Sequence, residues 1–248
     1  PETGLHLSDN RRAQIVVDIT GLSTELLATD AFYPVLGAWY GRTLGEAIGV
    51  IDGLPENTGE DRLKALGAAA ASSGAVGLFH AVGLTPEAPD LETALAGEKP
   101  IETIRITSEM MRAARDRLST TSSGKVDAIA VGSPHFSLEE FRALVRALAG
   151  RRSALPFYAC TGRHAIEALE REGLRVPLEA SGIILVADTC VVVTPILQGI
   201  DGVLMTNSGK FAHYAPGNTG YSVLYSSLTD CVETAVAGRL IRDEEHWQ

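Results

Sequence analysis

Val126-Asp127-Ala128-Ile129-Ala130-Val131, followed by Gly132-Ser133-Pro134-His135 and then Ser137-Leu138-Glu139-Glu140, is the stretch that decides the fold. Its first six residues form a mostly apolar run of strand length, and the glycine and proline behind it stop the run. Ser137 with Glu140 makes a capping box, so a helix is expected from Leu138 to Ala149, closed by Gly150. The unit then recurs. Leu155 to Ala159 reads as a strand, Cys160-Thr161-Gly162-Arg163-His164 as its polar exit, and Arg163 to Glu172 as a helix closed by Gly173. Ile183 to Ala187 and Val203 to Met205 are further apolar runs, left through Asp188-Thr189-Cys190 and through Thr206 to Tyr214. Leu228 to Ala237, closed by Gly238, is the last helix. Strands and helices alternating at this spacing imply an α/β fold, with parallel or mixed sheets flanked by helices.

Upstream the pattern is looser. Gln14 to Thr20 reads as a strand, Glu60 to Ser73 as an alanine-rich helix, Ala75 to Val82 as a buried strand and Ile101 to Thr107 as another. Ser108 is expected to cap a helix running to about Ser119. Pro86 to Pro100, rich in proline and acids, reads as an exposed loop, and Thr120 to Gly124 as a polar connection. Two α/β domains are therefore expected, over 1–122 and 123–248.

The polar clusters follow strand ends, and in open α/β sheets the carboxyl ends of strands open onto the ligand crevice. Four such clusters suggest one composite enzyme site. In Asn207-Ser208-Gly209-Lys210 the amide and hydroxyl offer hydrogen bonds, the glycine lets backbone approach closely and the lysine supplies positive charge. A hydrogen-bonded turn with an exposed lysine is the plainer alternative. Ser133 beside His135 invites comparison with a nucleophilic serine. It lacks the G-x-S-x-G elbow, and Pro134 removes an N–H that an oxyanion hole would use, so a serine hydrolase is not expected. Arg163 and His164 open a helix, where a cap or surface role is expected. His80, inside an apolar run, reads as a core histidine, and His213 and Tyr214 either line the pocket or pack beneath it.

Composition sets bounds. A 248-residue chain with 45% hydrophobic residues can build a real core, and a net charge of -10 argues against a nucleic-acid surface. No apolar stretch approaches the roughly 20 residues of a membrane span, so no membrane association is expected and cytoplasm is the default location. Cys160, Cys190 and Cys231 are an odd, widely spaced set without C-x-x-C, which suits a reducing compartment and makes neither a disulfide framework nor a self-contained metal motif. Cys231 lies on the apolar stripe of its helix and reads as a core thiol.

Gly132-Ser133-Pro134-His135-Phe136-Ser137, Asp188-Thr189-Cys190, the Thr206–Tyr214 run and Gly74 to Ala88 together resemble the large subunit of the aconitase X family, over nearly the whole chain. Pro1-Glu2-Thr3-Gly4-Leu5-His6-Leu7 resembles an internal stretch of that subunit, so the chain looks like its second half, the first domain continuing from an upstream segment. The resemblance implies an aconitase-like fold, with the site at the strand carboxyl ends, and a hydro-lyase that dehydrates a small hydroxy acid. It makes Cys190 a ligand of an iron centre, either an iron-sulfur cluster or mononuclear iron. Several relatives carry cysteine where this chain has Ser133, which turns Ser133 toward substrate or changes the ligand set; Cys160 is then a candidate thiolate or simply a strand-end thiol. Ser133, His135, Asn207, Ser208 and Lys210 are the substrate-binding candidates. The Gly-Ser-Pro-His form looks like the bacterial branch, which dehydrates cis-3-hydroxy-L-proline. The alternatives are a mevalonate 5-phosphate dehydratase and a metal-free scaffold without catalysis. The resemblance also implies that the elimination base lies outside this chain, on a small swivelling domain or subunit, and that the fragment alone is inactive.

Overall fold

In a computed structural model that describes residues 4–122, 124–197 and 202–247, the chain divides into two compact units, with Ala114 ending the first and Arg115 opening the second; His246 and Trp247 group with the first. Pro1, Glu2 and Thr3 of the opening motif, and Ser123 of the polar connection, lie outside the described residues. Among the described residues no helix is long and apolar enough to cross a membrane.

The first unit runs β1 (Ile15–Asp18), α1 (Thr24–Ala28), α2 (Phe32–Leu44), β2 (Gly49–Asp52), α3 (Glu60–Ser73), β3 (His80–Ala81), α4 (Leu91–Ala94), β4 (Glu102–Arg105) and α5 (Ser108–Asp116). Its strands form one parallel sheet in the order β3-β2-β1-β4. Small residues let α2 and α3 pack closely. A Cβ on Gly37 would stand 2.2 Å from the Leu66 carbonyl oxygen, and one on Gly41 2.3 Å from that of Ala70.

Three expectations are corrected in this unit. Within Ala75 to Val82 only His80 and Ala81 pair as a strand. Gly74 is spent on close approach to α2, where a Cβ would meet the Gly41 carbonyl oxygen at 2.1 Å, and the residues after it are half-buried or exposed. The cap of α5 is Thr107 and not Ser108: its Oγ1 accepts from the Met110 N–H at 3.2 Å, and the helix ends at Asp116. The stretch Pro86 to Pro100 contains α4, capped by Asp90, and buries Ala88, Ala94 and Leu95 against Ala13, Val16 and Val50. His80 is buried as expected, donating from Nε2 to the Arg11 carbonyl at 2.6 Å.

The second unit follows the alternation closely: β5 (Ala128–Val131), α6 (Leu138–Leu148), β6 (Phe157–Thr161), α7 (Arg163–Arg171), α8 (Arg175–Ala180), β7 (Ile183–Ala187), β8 (Val203–Thr206), α9 (Gly209–Thr219), β9 (Ser222–Tyr225) and α10 (Leu228–Ala237). The sheet is parallel throughout, ordered β7-β6-β5-β8-β9. Its core joins Ile129, Val131 and Phe157 from the strands with Phe141, Leu144 and Leu148 of α6 and with Cys231, Val232 and Ala235 of α10. Cys231 is a core thiol, as expected. Both halves of the Ser137–Glu140 capping box form. Ser137→Ala should therefore cost about 1 kcal/mol, read as a lower urea midpoint with an unchanged slope.

From β5 the chain moves outward through β6 to β7, then returns to the other side of β5 for β8 and β9. β5 and β8 are neighbours whose chains leave in opposite directions. Between them lies the switch point of the sheet, where α/β proteins open a ligand crevice.

Candidate active site

Because the strands are parallel, the turns after β5, β6, β7 and β8 all open on one edge of the second sheet. Gly132 leaves β5 with φ +86°, and a Cβ there would stand 2.0 Å from the Cys160 carbonyl oxygen at the end of β6. The same oxygen accepts the Phe136 N–H at 3.0 Å, while Thr161 Oγ1 donates to the Phe136 carbonyl at 2.6 Å. These bonds lock the Gly132–His135 turn against the exit of β6.

Across the switch point the Ser208 hydroxyl donates to the Ser133 carbonyl and accepts the Phe211 N–H at 3.0 Å, so one buried side chain caps α9 and ties β8 to β5. Ser133 is itself buried, and its Oγ lies 4.0 Å from Cys190 Sγ. Asn207 and Lys210, both half-buried, share the edge through the β8–α9 turn. His135 is exposed, and His213 and Tyr214 lie on the outer face of α9 with their rings edge to face.

The β7 exit brings in the second thiol. Asp188 takes a left-handed conformation, φ +58°, while its N–H donates to the Thr161 carbonyl at 2.8 Å. Its carboxylate accepts from the Arg163 backbone N–H at 2.9 Å and from Arg163 Nε at 2.6 Å. Those bonds, with a smaller contribution from nearby His135, hold the Asp188 carboxyl below its usual range. Cys190, half-buried, heads a turn in which its carbonyl accepts the Val193 and Thr194 N–H groups, each at 3.2 Å. Cys160 lies deeper, at 1% exposure, where burial pushes its thiol up to about 11; an N–H from Val191 opposes the shift and neighbouring Cys190 adds to it.

The edge thus gathers Ser133, Cys160, Cys190 and Ser208 around the switch point. Arg163 is a surface residue at the start of α7, as expected, and its guanidinium bonds to Asp188, two residues before Cys190. No sequence signal pairs positions this far apart without the sheet between them. The unequal burial of the thiols has a testable consequence. In metal-free folded protein at pH 8, iodoacetamide should label Cys190 and spare Cys160 and Cys231, as peptide mass spectrometry would show.

Two soft thiols and a hydroxyl are a donor set that suits part of an iron centre. They do not complete the four thiolates of an ordinary iron-sulfur cluster, and among the described residues no three His, Cys, Asp and Glu side chains are grouped to hold a metal.

Two family descriptions match the chain, "Aconitase X second domain" over residues 13–116 and "Aconitase X third domain" over residues 126–237. The chain belongs to the aconitase X family. A cis-3-hydroxy-L-proline dehydratase of Pseudomonas aeruginosa is 39% identical over 96% of this chain and 42% of its own length. The phosphomevalonate dehydratase large subunit of Methanothermobacter thermautotrophicus is 38% identical over 94% of this chain and 55% of its own length. The chain thus spans about half, or less, of these relatives. The holo-form aconitase X of Thermococcus kodakaraensis superposes with a TM-score of 0.83 at 30% identity, over 95% of this chain and 58% of that one. The aconitase-like α/β fold expected from the sequence is the fold observed.

Proposed function

We propose that this aconitase X chain supplies the second and third domains of a hydro-lyase that dehydrates cis-3-hydroxy-L-proline. The observation that carries the reaction class is the meeting of Cys190 with Ser133 and Cys160 at the switch point of the second sheet. The substrate rests on the likeness to the Pseudomonas aeruginosa dehydratase. In the reaction the substrate loses its α-proton and its 3-hydroxyl as water, and the product is an unsaturated cyclic imine.

Cys190, with Cys160 behind it, would hold an iron centre, an iron-sulfur cluster or a single iron, whose remaining ligands come from outside this chain. When bound, that centre supplies a Lewis acid for the departing hydroxyl. The chain's own residues do the rest of what the edge allows. Lys210 and Asn207 offer charge and hydrogen bonds to a carboxylate, and His135 stands at the rim. Ser208 holds the Ser133 turn in register across the sheet, so the Ser133 hydroxyl faces the Cys190 thiol, which supports a role for it in binding substrate. The base that takes the α-proton belongs to a small swivelling domain or subunit, and no other partner is required.

The complete enzyme should convert cis-3-hydroxy-L-proline to an imine that borohydride reduces to proline. Turnover of mevalonate 5-phosphate in its place would overturn the substrate assignment. The isolated chain should show no turnover with either compound; measurable dehydration by it alone would sink the placement of the base elsewhere.

A further inference from the structure

Arg163 opens α7 directly after the β6 exit that carries Cys160. The first turn of a helix favours acidic side chains, because its unpaired N–H groups carry partial positive charge. α7 has no acid there and carries Arg163 and His164 instead. The helix alone would be more stable with another choice, and such local rules are broken most often where function demands it.

The guanidinium is fixed. One carboxylate, that of Asp188, takes both the Arg163 backbone N–H and its Nε–H, so the residue is held at its root and near its tip. Among the described residues Nη1 and Nη2 make no hydrogen bond, and the side chain is 78% exposed. An ion pair at that exposure adds little to stability, and what the Asp188 carboxylate contributes to α7 comes through the Arg163 backbone N–H, which does not need the guanidinium. An oriented guanidinium with both amino groups unspent matches a carboxylate through two parallel hydrogen bonds, whereas Lys210 offers a point charge.

We propose that Arg163, aimed by Asp188, binds the substrate carboxylate in the complete enzyme; this rests on the hydro-lyase function proposed above. Arg163 is the substrate-binding group and Asp188 its positioning residue.

The test compares wild type with Arg163→Gln, Arg163→Lys and Asp188→Asn in the complete enzyme. KM for cis-3-hydroxy-L-proline should rise roughly tenfold to a hundredfold in Arg163→Gln, with kcat much less affected, since a charged hydrogen-bond pair is lost. Asp188→Asn should raise KM in the same direction by less. Titration calorimetry with two unreactive probes, pyrrole-2-carboxylate and pyrrole-2-carboxamide, separates recognition from folding. Wild type should prefer the carboxylate, and Arg163→Gln should cut that preference at least tenfold, keeping only the share that Lys210 supplies. Should Arg163→Gln fail to fold by circular dichroism, Arg163→Lys carries the test, because it keeps the charge and loses the fork; an unchanged KM there overturns the proposal. So does an Arg163→Gln enzyme whose KM and probe preference stay within twofold of wild type while wild type turns over. A wild type that dehydrates no hydroxy acid overturns this proposal and the hydro-lyase function together.

Discussion

Cys190→Ala in the complete, anaerobically purified enzyme is expected to lose its iron and to slow dehydration at least a thousandfold. Cys190 is the thiol that reaches the edge of the sheet: it is half-buried, heads a turn fixed by two backbone hydrogen bonds to its own carbonyl, and lies 4.0 Å from the Ser133 hydroxyl. Cys231 is sealed in the core and Cys160 sits beneath Cys190, where burial favours its neutral form. A Lewis acid at a departing hydroxyl contributes several kcal/mol, and about 4 kcal/mol is a thousandfold in rate. Iron and acid-labile sulfide are the first readouts, because they report on the ligand before any turnover is scored. Cys160→Ala should lower the iron content as well, and Cys231→Ala should leave it unchanged while costing some stability. Iron retained equally in wild type and Cys190→Ala would remove the central donor, and iron absent from both would favour the metal-free scaffold alternative. The folded state should survive Cys190→Ala, since a half-buried thiol leaves only a small void.

The second unit was more legible in the sequence than the first, for a physical reason. Its strands are short apolar runs ended by glycine or polar exits, and its helices α6 and α7 present one apolar stripe each, so both periods stand out. In the first unit α2 is buried nearly all round, so it shows no stripe, and β3 pairs through only His80 and Ala81. The four polar clusters of the site were legible as strand exits. What they do to one another was not. That Ser208 reaches the Ser133 carbonyl, or that Asp188 takes hold of Arg163, depends on the order of strands in the sheet, and local pattern carries no trace of that order. The Ser133–Cys190 approach likewise joins positions from two turns separated by β6.

Gly132→Ala should be the most damaging substitution of a small residue in the second unit, and its comparison with Gly150→Ala isolates the cause. Both glycines have positive φ, +86° at Gly132 and +74° at Gly150, so both substitutions meet the strain of a left-handed L-residue, on the order of 1 to 2 kcal/mol. They differ in space. A Cβ on Gly150 meets nothing within 4 Å, whereas one on Gly132 meets the Cys160 carbonyl oxygen at 2.0 Å and the Cys160 carbonyl carbon and nitrogen at 2.9 Å each. Those are backbone atoms of a central strand, paired to β5 and β7, and they cannot swing aside as a side-chain tip would. The added methyl must push the β5 exit away from β6, which breaks the Phe136 N–H bond to Cys160 and drags Ser133 from both Cys190 and Ser208. Strain plus a lost buried hydrogen bond and repacking put the cost at roughly 4 kcal/mol, against about 1 kcal/mol for Gly150→Ala. Urea unfolding followed by circular dichroism measures both on the same chain. Equal losses would mean that φ alone selects glycine at 132; a large excess at Gly132 would mean that the close crossing of the β5 exit over Cys160 is what the site is built on, and iron binding should then fall with stability.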